Sequence, residues 1–324
     1  MRIEFRNLSV EYRTKAGPVR ALDGAELAFD SRSTVGIVGE SGSGKTTLGM
    51  AIGRLLPDSS ARISGNLLLD ETDVFDLSRR EVRRLRRDHL GFVFQNPMSA
   101  LDPTMRIGKQ LSDAAGETRL GGNVDQRLRS VGLPDTYRVA RSYPHELSGG
   151  MAQRVFIAMA IARTPALLIA DEPTSALDAT VRAEVLALLV GLKDRFNTGL
   201  VLLSHELHVV AAHCDEVAVM YAGRVVEHGT ARLVFERARH PYTMALIQAA
   251  PGRERPGERV QPISGLPPSL REASTGCAFA PRCAFADDRC RSRRPEPRFF
   301  DDRTILCHRA EEIASLVANA EMKS

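Results

Sequence analysis

An α/β fold is predicted, on three observations. The first is Gly39-Glu40-Ser41-Gly42-Ser43-Gly44-Lys45-Thr46, which fits the phosphate-loop pattern G-x-x-x-x-G-K-[ST]. The apolar run Thr34–Val38 before it reads as a buried strand, and Thr47–Ile52 after it reads as a helix start. The second is a pair of apolar runs, Leu167–Ala170 and Gly199–Leu203, that read as buried strands ending in the polar residues Asp171-Glu172 and Ser204-His205. The third is a helical stretch between those strands, from about Thr180 to Phe196. Strands and helices alternating in this way build α/β sheets, which bind ligands at the carboxyl ends of their strands.

At 324 residues the chain has room for one large domain and a small appendage. With 43% hydrophobic and 26% charged residues, a soluble globular protein is expected. A formal net charge of +4 is mild for this length and gives no argument for nucleic acid. The longest apolar runs are too short, or too broken by charge, to span a bilayer. Met1–Arg6 carries charges where a signal peptide needs an apolar core. A cytosolic protein is expected, reaching a membrane only through a partner. Its five cysteines are then expected as thiols or metal ligands, not disulfides.

The chemistry of the phosphate loop follows from its residue types. Glycines let successive N–H groups curl into one concavity, and the following helix adds its dipole. Lys45 suits the β- and γ-phosphates and the Thr46 hydroxyl suits Mg²⁺. Upstream, Ile3–Tyr12 alternates apolar and polar residues and Gly17-Pro18 breaks the run, which predicts antiparallel strands joined by a turn. Tyr12 reads equally as a base-stacking ring or as a half-buried strand residue. Arg62–Asp70 reads as a further strand and turn. Ser78 and Glu81 make a capping box that opens a basic helix, whose arginines read as a solvated face before a phosphate or lipid site. Leu90–Phe94 reads as a strand that ends at Gln95, where Asn96-Pro97 stops it. Gln95 there suits Mg²⁺ or an attacking water, or is a plain loop residue. From about 104 to 145 the pattern predicts short helices with a break at Gly121-Gly122.

Leu147-Ser148-Gly149-Gly150-Met151-Ala152-Gln153-Arg154 precedes a helical run, Val155–Arg163. Ser148 as N-cap leaves N–H groups pointing outward as a second anion site, so nucleotide is expected between two molecules. Asp171 at its strand end suits Mg²⁺ held through water, and Glu172 suits a base that orients or deprotonates water. His205 suits a γ-phosphate contact. Cys214 reads as a packed thiol on a helix, and Glu216–Gly229 as a closing hairpin around Gly223. Residues 251–270, rich in Pro and Gly, predict a linker or an extended wrap. Beyond them Cys277, Cys283, Cys290 and Cys307, spaced C-x5-C-x6-C-x16-C, stand in a stretch too poor in apolar residues for a core of its own. A metal centre would supply cross-links. A [4Fe–4S] cluster is favoured because no C-x2-C knuckle is present, Zn²⁺ is the runner-up, and four free thiols remain a third reading.

In their order along the chain, the phosphate loop, Gln95, Leu147–Met151, the Asp171-Glu172 strand, Ser175–Asp178 and His205 resemble the ATP-binding cassette ATPases over about residues 1–235. His240–Leu246, Ile263–Pro268 and Gly276–Cys283 resemble the C-terminal region of oligopeptide/dipeptide importer ATPase subunits, a subfamily that includes nickel and metallophore importers. The resemblance implies a P-loop NTPase: a RecA-like core, an antiparallel β subdomain, a helical subdomain at about 97–160, and a cysteine-rich extension over 236–324. It implies ATP held by Tyr12 on the adenine and by Gly39, Glu40, Ser41, Gly42, Ser43, Gly44, Lys45, Thr46 and Thr47 on the phosphates. It places Thr46, Gln95 and Asp171 at Mg²⁺, Glu172 as catalytic base, and Gln95 and His205 at the γ-phosphate. Leu147, Ser148, Gly149, Gly150, Met151, Gln153 and Asp178 fall at the seam with a second cassette. Cys277, Cys283, Cys290 and Cys307 become [4Fe–4S] ligands.

The same resemblance implies partners. They are a second, distinct ATPase subunit, two transmembrane permease subunits, and an extracytoplasmic substrate-binding protein reached through the permease, without nucleic acid. The expected place is the cytoplasmic face of the inner membrane, peripherally bound. Di- or oligopeptides are the expected cargo, with nickel or a metallophore as the alternative. A soluble cassette ATPase acting on DNA or ribosomes is the rival of another class; the second cassette or long heptad insertion usual in such proteins does not occur here. Two departures from the subfamily stand out. Ala152 replaces a larger polar residue, and the segment at about 106–140, which receives the transporter's coupling helix, is shorter than usual.

Overall fold

The computed structural model describes residues 1–116, 123–175, 177–250, 262–271 and 274–321. The chain divides into two compact units, the first of residues 2–29, 35–75 and 204–324, the second of residues 30–34 and 76–203 with Met1. It opens with β1 (Arg2–Thr14), β2 (Gly17–Asp30), β3 (Thr34–Val38), α1 (Lys45–Ile52), β4 (Ala61–Leu69) and β5 (Thr72–Asp73). The second unit follows with α2 (Arg79–Asp88), β6 (Leu90–Val93), α3 (Pro97–Ala100), α4 (Ile107–Ala115), α5 (Val124–Ser130) and α6 (Thr136–Arg141). It ends with α7 (Gly149–Ala160), β7 (Leu167–Asp171), α8 (Ala179–Phe196) and β8 (Gly199–Ser204). The first unit then resumes with α9 (Leu207–His213), β9 (Glu216–Tyr221), β10 (Arg224–Thr230), α10 (Ala231–Glu236) and α11 (Pro241–Gln248). It closes with α12 (Asp288–Ser292), β11 (Arg298–Phe300), β12 (Arg303–Ile305) and α13 (Ala310–Glu321). No helix among the described residues is long and apolar enough to cross a membrane.

In the first unit, β2-β1-β4-β5 form one sheet, with β1 antiparallel to β4 from Ile3↔Leu69 to Tyr12↔Ala61. A register shift lies between Arg6 and Ser9. That bulge explains the burial pattern: Ile3 and Phe5 point inward before it, Leu8 and Val10 after it, so the apolar alternation moves by one residue without leaving the core. The fully buried β3 pairs in parallel with β9, and β10 returns antiparallel. Ala222 and Gly223, both with positive φ (48° and 78°), make the β9–β10 turn expected around Gly223. Cys214 is a core thiol as read, though it stands one residue past α9 rather than on it.

The C-terminal stretch differs from its prediction. It is poor in apolar residues, yet β11 and β12 extend the β10 edge, with Glu227 opposite Ile305. Ile305, Cys307, Ala310 and Ile313 then bury a small core with Met244, Phe285 and Phe300. A borrowed sheet edge supplies what local composition lacks. The predicted linker falls largely outside the described residues; 262–271 carries neither helix nor strand.

In the second unit, β8-β7-β6 run in parallel, with Leu167 opposite both Gly199 and Leu90. The capping box of α2 forms: Ser78 Oγ accepts the Glu81 N–H at 3.4 Å and Glu81 Oε2 accepts the Ser78 N–H at 2.8 Å. Only Val82 of α2 is buried, so its arginines are a solvated face. The α7 helix covers Gly149–Ala160, starting directly after the Ser148 cap as read and ending before the predicted Arg163. Two glycines argue against a helix start by propensity. The Ser148 cap and close packing outweigh that, since a Cβ on Gly150 would lie 2.8 Å from Val181 Cγ1. Ala152 is fully buried in the same helix. The predicted Gly121-Gly122 break lies outside the described residues.

Candidate nucleotide site

The first unit builds the phosphate loop. Gly39 and Gly44 are required by close approach: a Cβ would lie 2.2 Å from Met220 O at Gly39 and 2.5 Å from Ala21 O at Gly44. Gly44 also has φ 105°. The loop is stitched by Ser43 N–H to Glu40 O (3.1 Å) and by Gly223 N–H to Ser43 O (2.9 Å). Helix α1 follows Gly44 at its N-cap position, without a side-chain cap, which leaves its first N–H groups suited to an anion. Lys45 is 7% exposed and its ammonium donates to Gly39 O (2.8 Å) and Glu40 O (3.1 Å). Among the described residues the buried Ser43 Oγ has no hydrogen-bond partner, which fits a phosphate oxygen coming to it. Thr46, Ser41 and Gly42 are exposed. The Tyr12 hydroxyl lies 3.4 Å from Thr47 Oγ1, so the structure brings Tyr12 to the first turn of α1.

Glu40 departs from the predicted cradle. Its N–H donates to the Tyr242 hydroxyl at 2.9 Å, and its carboxylate pairs with Arg282 at 2.7 Å. Sequence reasoning missed both partners, because neither lies near the loop in sequence. Tyr242 is placed by His240, whose Nδ1 accepts the Tyr242 N–H at 3.0 Å at the start of α11. Burial pushes the His240 pKa down to about 3, so the ring stays neutral and Nδ1 can accept. His205, also predicted, is exposed in this unit one residue past β8.

The second unit carries the acids. Asp171 ends β7 opposite Leu203, and both Asp171 and Glu172 are half-buried. Glu172 adopts φ 46° while its N–H donates to Leu203 O at 3.0 Å. A glutamate in the left-handed region is strained, and it holds only because strand and turn fix it: Ser175 Oγ donates to Glu172 O at 3.2 Å. Val93 of β6 lies opposite Ala170, so Gln95, exposed, leaves the same sheet end as the acids. Ser148 Oγ caps α7 by accepting the Met151 N–H at 3.3 Å. Ser148 and Gly149 are exposed, while Leu147, Gly150 and Met151 are half-buried. Gln153, assigned to the seam, instead faces inward at 1% exposure, because its position on α7 turns it to the core. Asp178 is exposed and its Oδ1 caps α8, accepting from Thr180 N–H and Val181 N–H at 3.1 Å each.

Cys277, Cys283, Cys290 and Cys307 line one small pocket with His240, Phe279, Phe285 and Ile313. Among the described residues no three His, Cys, Asp or Glu side chains are grouped around a single metal ion. Burial pushes all four thiols up, Cys307 to about 12, and neighbouring thiols push Cys277, Cys283 and Cys307 further the same way. Backbone amides counter this, with the Arg309 N–H 3.4 Å from Cys307 Sγ and donors at Phe279 and Phe285. The four thiols thus share a pocket but, among the described residues, are not grouped as a metal-binding set.

A phosphate loop with strand-end acids serves many nucleotide hydrolases. A serine-capped Gly-Gly helix start, placed between them in sequence, narrows the class to the ATP-binding cassette ATPases. Residues 22–175 match the family described as ABC transporter, and residues 226–290 match the oligopeptide/dipeptide transporter C-terminal region. The probable peptide ABC transporter ATP-binding protein y4tR of Sinorhizobium fredii is 40% identical over 97% of this chain and 96% of its own length. The oligopeptide transport ATP-binding protein OppD of Escherichia coli is 40% identical over 96% of this chain and 94% of its own. A dimeric post-hydrolysis structure of the ATP-binding cassette MJ0796, bound to ADP and Pi, covers 71% of this chain and 99% of its own at 28% identity and a TM-score of 0.60. The fold is therefore the cassette P-loop NTPase fold, with its antiparallel β subdomain. The chain belongs to the ATP-binding cassette transporter ATPases of the oligopeptide/dipeptide type. It is the subunit that hydrolyses ATP to drive a peptide importer.

Proposed function

We propose that two cassettes close around two ATP molecules, that hydrolysis reopens them, and that membrane subunits convert this cycle into cargo release. The observation that carries the reading is the α7 start: a serine-capped helix of 12 residues offers exposed Ser148 and Gly149 to another molecule. In this reading the phosphate that meets this helix start comes from a second cassette. The dimeric MJ0796 cassette bound to ADP and Pi supports the same arrangement. In this reading the cassette spans 1–235 and the extension 236–324. Lys45 and the loop amides hold the phosphates, Tyr12 stacks on adenine, and Thr46, Gln95 and Asp171 serve Mg²⁺. Glu172 orients and deprotonates water, His205 contacts the γ-phosphate, and Ser148 and Gly150 reach the γ-phosphate held by the opposite subunit. The second cassette is a distinct paralogue. Two permease subunits bind the pair at the cytoplasmic face of the inner membrane, and an extracytoplasmic binding protein selects di- or oligopeptides.

The four thiols are assigned to a [4Fe–4S] cluster, supported by their common pocket and amide donors. When bound, that group supplies a cross-link with one-electron redox chemistry.

The test of the ATPase reading is Glu172→Gln. It keeps the backbone and should bind ATP, lose about 100-fold or more in turnover, and, mixed with its paralogous cassette, accumulate as a closed dimer by size exclusion with MgATP. Turnover at the wild-type rate would remove Glu172 as the base. The cluster is tested by iron, sulfide and zinc content after purification without oxygen. About four iron and four sulfide per chain are expected, lost in Cys283→Ser. One zinc would make the tail a structural clip, and neither metal would leave the thiols free.

A further inference from the structure

Two residues of the C-terminal extension grip the phosphate loop at Glu40. Arg282 Nη1 donates to Glu40 Oε2 at 2.7 Å and Nη2 to Oε1 at 3.1 Å. The Arg282 side chain is 3% exposed, so this is not a solvated surface pair. The rest of the guanidinium is also engaged: Nε donates to Ser264 O at 2.9 Å, Nη2 to Ile263 O at 3.2 Å and Nη1 to the Tyr221 hydroxyl at 3.3 Å. The rings of Tyr221 and Phe279 lie within 5.8 and 5.9 Å of it. The fully buried Tyr242 packs on Tyr221 with ring centroids 4.5 Å apart, and its hydroxyl takes the Glu40 N–H. Glu40 is thus fixed at its amide, by Tyr242, and at its carboxylate, by Arg282.

Charge gives the arrangement its meaning. A carboxylate on a loop that cradles polyphosphate repels the ligand unless it is neutralised and turned away. Arg282 does both. We propose that Arg282 and Tyr242 are positioning residues for the phosphate loop, which makes the cysteine-bearing turn part of the nucleotide site. Arg282 ends the tight turn Ala280–Arg282, between Cys277 and Cys283. Its N–H donates to Phe279 O at 2.9 Å, and the Cys283 N–H to Ala280 O at 3.3 Å. Whatever sets the spacing of those two thiols therefore sets the guanidinium, and the coupling runs both ways. The inference rests on ATP binding at the loop, and is independent of what the thiols hold.

The experiment titrates a fluorescent ATP analogue with Mg²⁺ on the full chain, alongside steady-state hydrolysis and thermal unfolding. Arg282→Ala should weaken binding and raise KM about tenfold, with kcat changed by less than about twofold. Adding Glu40→Gln to Arg282→Ala should restore most of the affinity, because the unneutralised carboxylate is gone. Tyr242→Phe removes only the hydroxyl and should raise KM by a smaller factor without lowering the unfolding midpoint appreciably. Hydrogen exchange of the 277–283 segment should slow on adding MgATP to the wild type and not to Arg282→Ala. Unchanged affinity in Arg282→Ala and Tyr242→Phe, no rescue by Glu40→Gln, or exchange indifferent to MgATP would each overturn the proposal. A wild-type chain that does not bind the analogue would instead refute the ATP-site reading on which it rests.

Discussion

Lys45 and Gly44 are neighbours with opposite vulnerabilities. Lys45 contributes a charge: its ammonium ties Gly39 O and Glu40 O and is available to phosphate. Lys45→Ala should leave the unfolding midpoint nearly unchanged and abolish measurable ATP binding in an equilibrium titration. Gly44 contributes an absence. With φ 105° and a would-be Cβ 2.5 Å from Ala21 O, Gly44→Ala should cost about 2 kcal/mol or more in urea unfolding, and lose ATP as well. Both residues were legible in the sequence because the phosphate loop fixes their spacing. Ser78 and Glu81 were legible for the same reason, a three-residue spacing with a local mechanism. Glu40 was not, since its partners Tyr242 and Arg282 lie 202 and 242 residues away. Nor was the burial of Gln153, since the Ser148 cap marks where α7 begins but not which of its faces packs inward.

At the scale of elements, the C-terminal strands show how a weakly apolar segment is held. Arg303, fully buried on β12, lies 3.4 Å from the fully buried Glu227 of β10. It also donates to Leu233 O at 2.8 Å and Arg237 O at 2.7 Å. The N–H groups of Arg239 and His240 donate to the Glu227 carboxylate at 2.9 and 3.0 Å. Burial still pushes the Glu227 carboxyl above its ordinary range. Removing one partner leaves a buried charge, so Arg303→Ala should cost about 3–5 kcal/mol by chemical denaturation. Arg303→Met with Glu227→Leu should cost much less. A double variant as unstable as Arg303→Ala would mean that the backbone bonds, not the pair, carry the effect. The hairpin β9–β10 was readable from two apolar runs around Gly223. Strands β11 and β12, of three residues each, are too short to show a period, and their burial is decided by the edge they join.

At the scale of the whole molecule, the first unit is assembled from separated stretches of chain, with residues 76–203 of the second unit lying between them in sequence. Order of synthesis then becomes order of assembly. The strand before the phosphate loop, β3, gains its parallel neighbour β9 only when residues 216–219 have been made. The Met220 carbonyl against Gly39, the Gly223 bond to Ser43 and the Arg282 grip on Glu40 arrive later still. A chain stopped at residue 203 should therefore carry the complete loop sequence and fail to bind ATP in the same titration. During translation the motif is present for most of the time the ribosome needs to finish the protein, yet it matures near the end. Chains that end before residue 216 should therefore lack the β9 support of the loop, and chains that end before Arg282 should bind ATP more weakly than the finished protein.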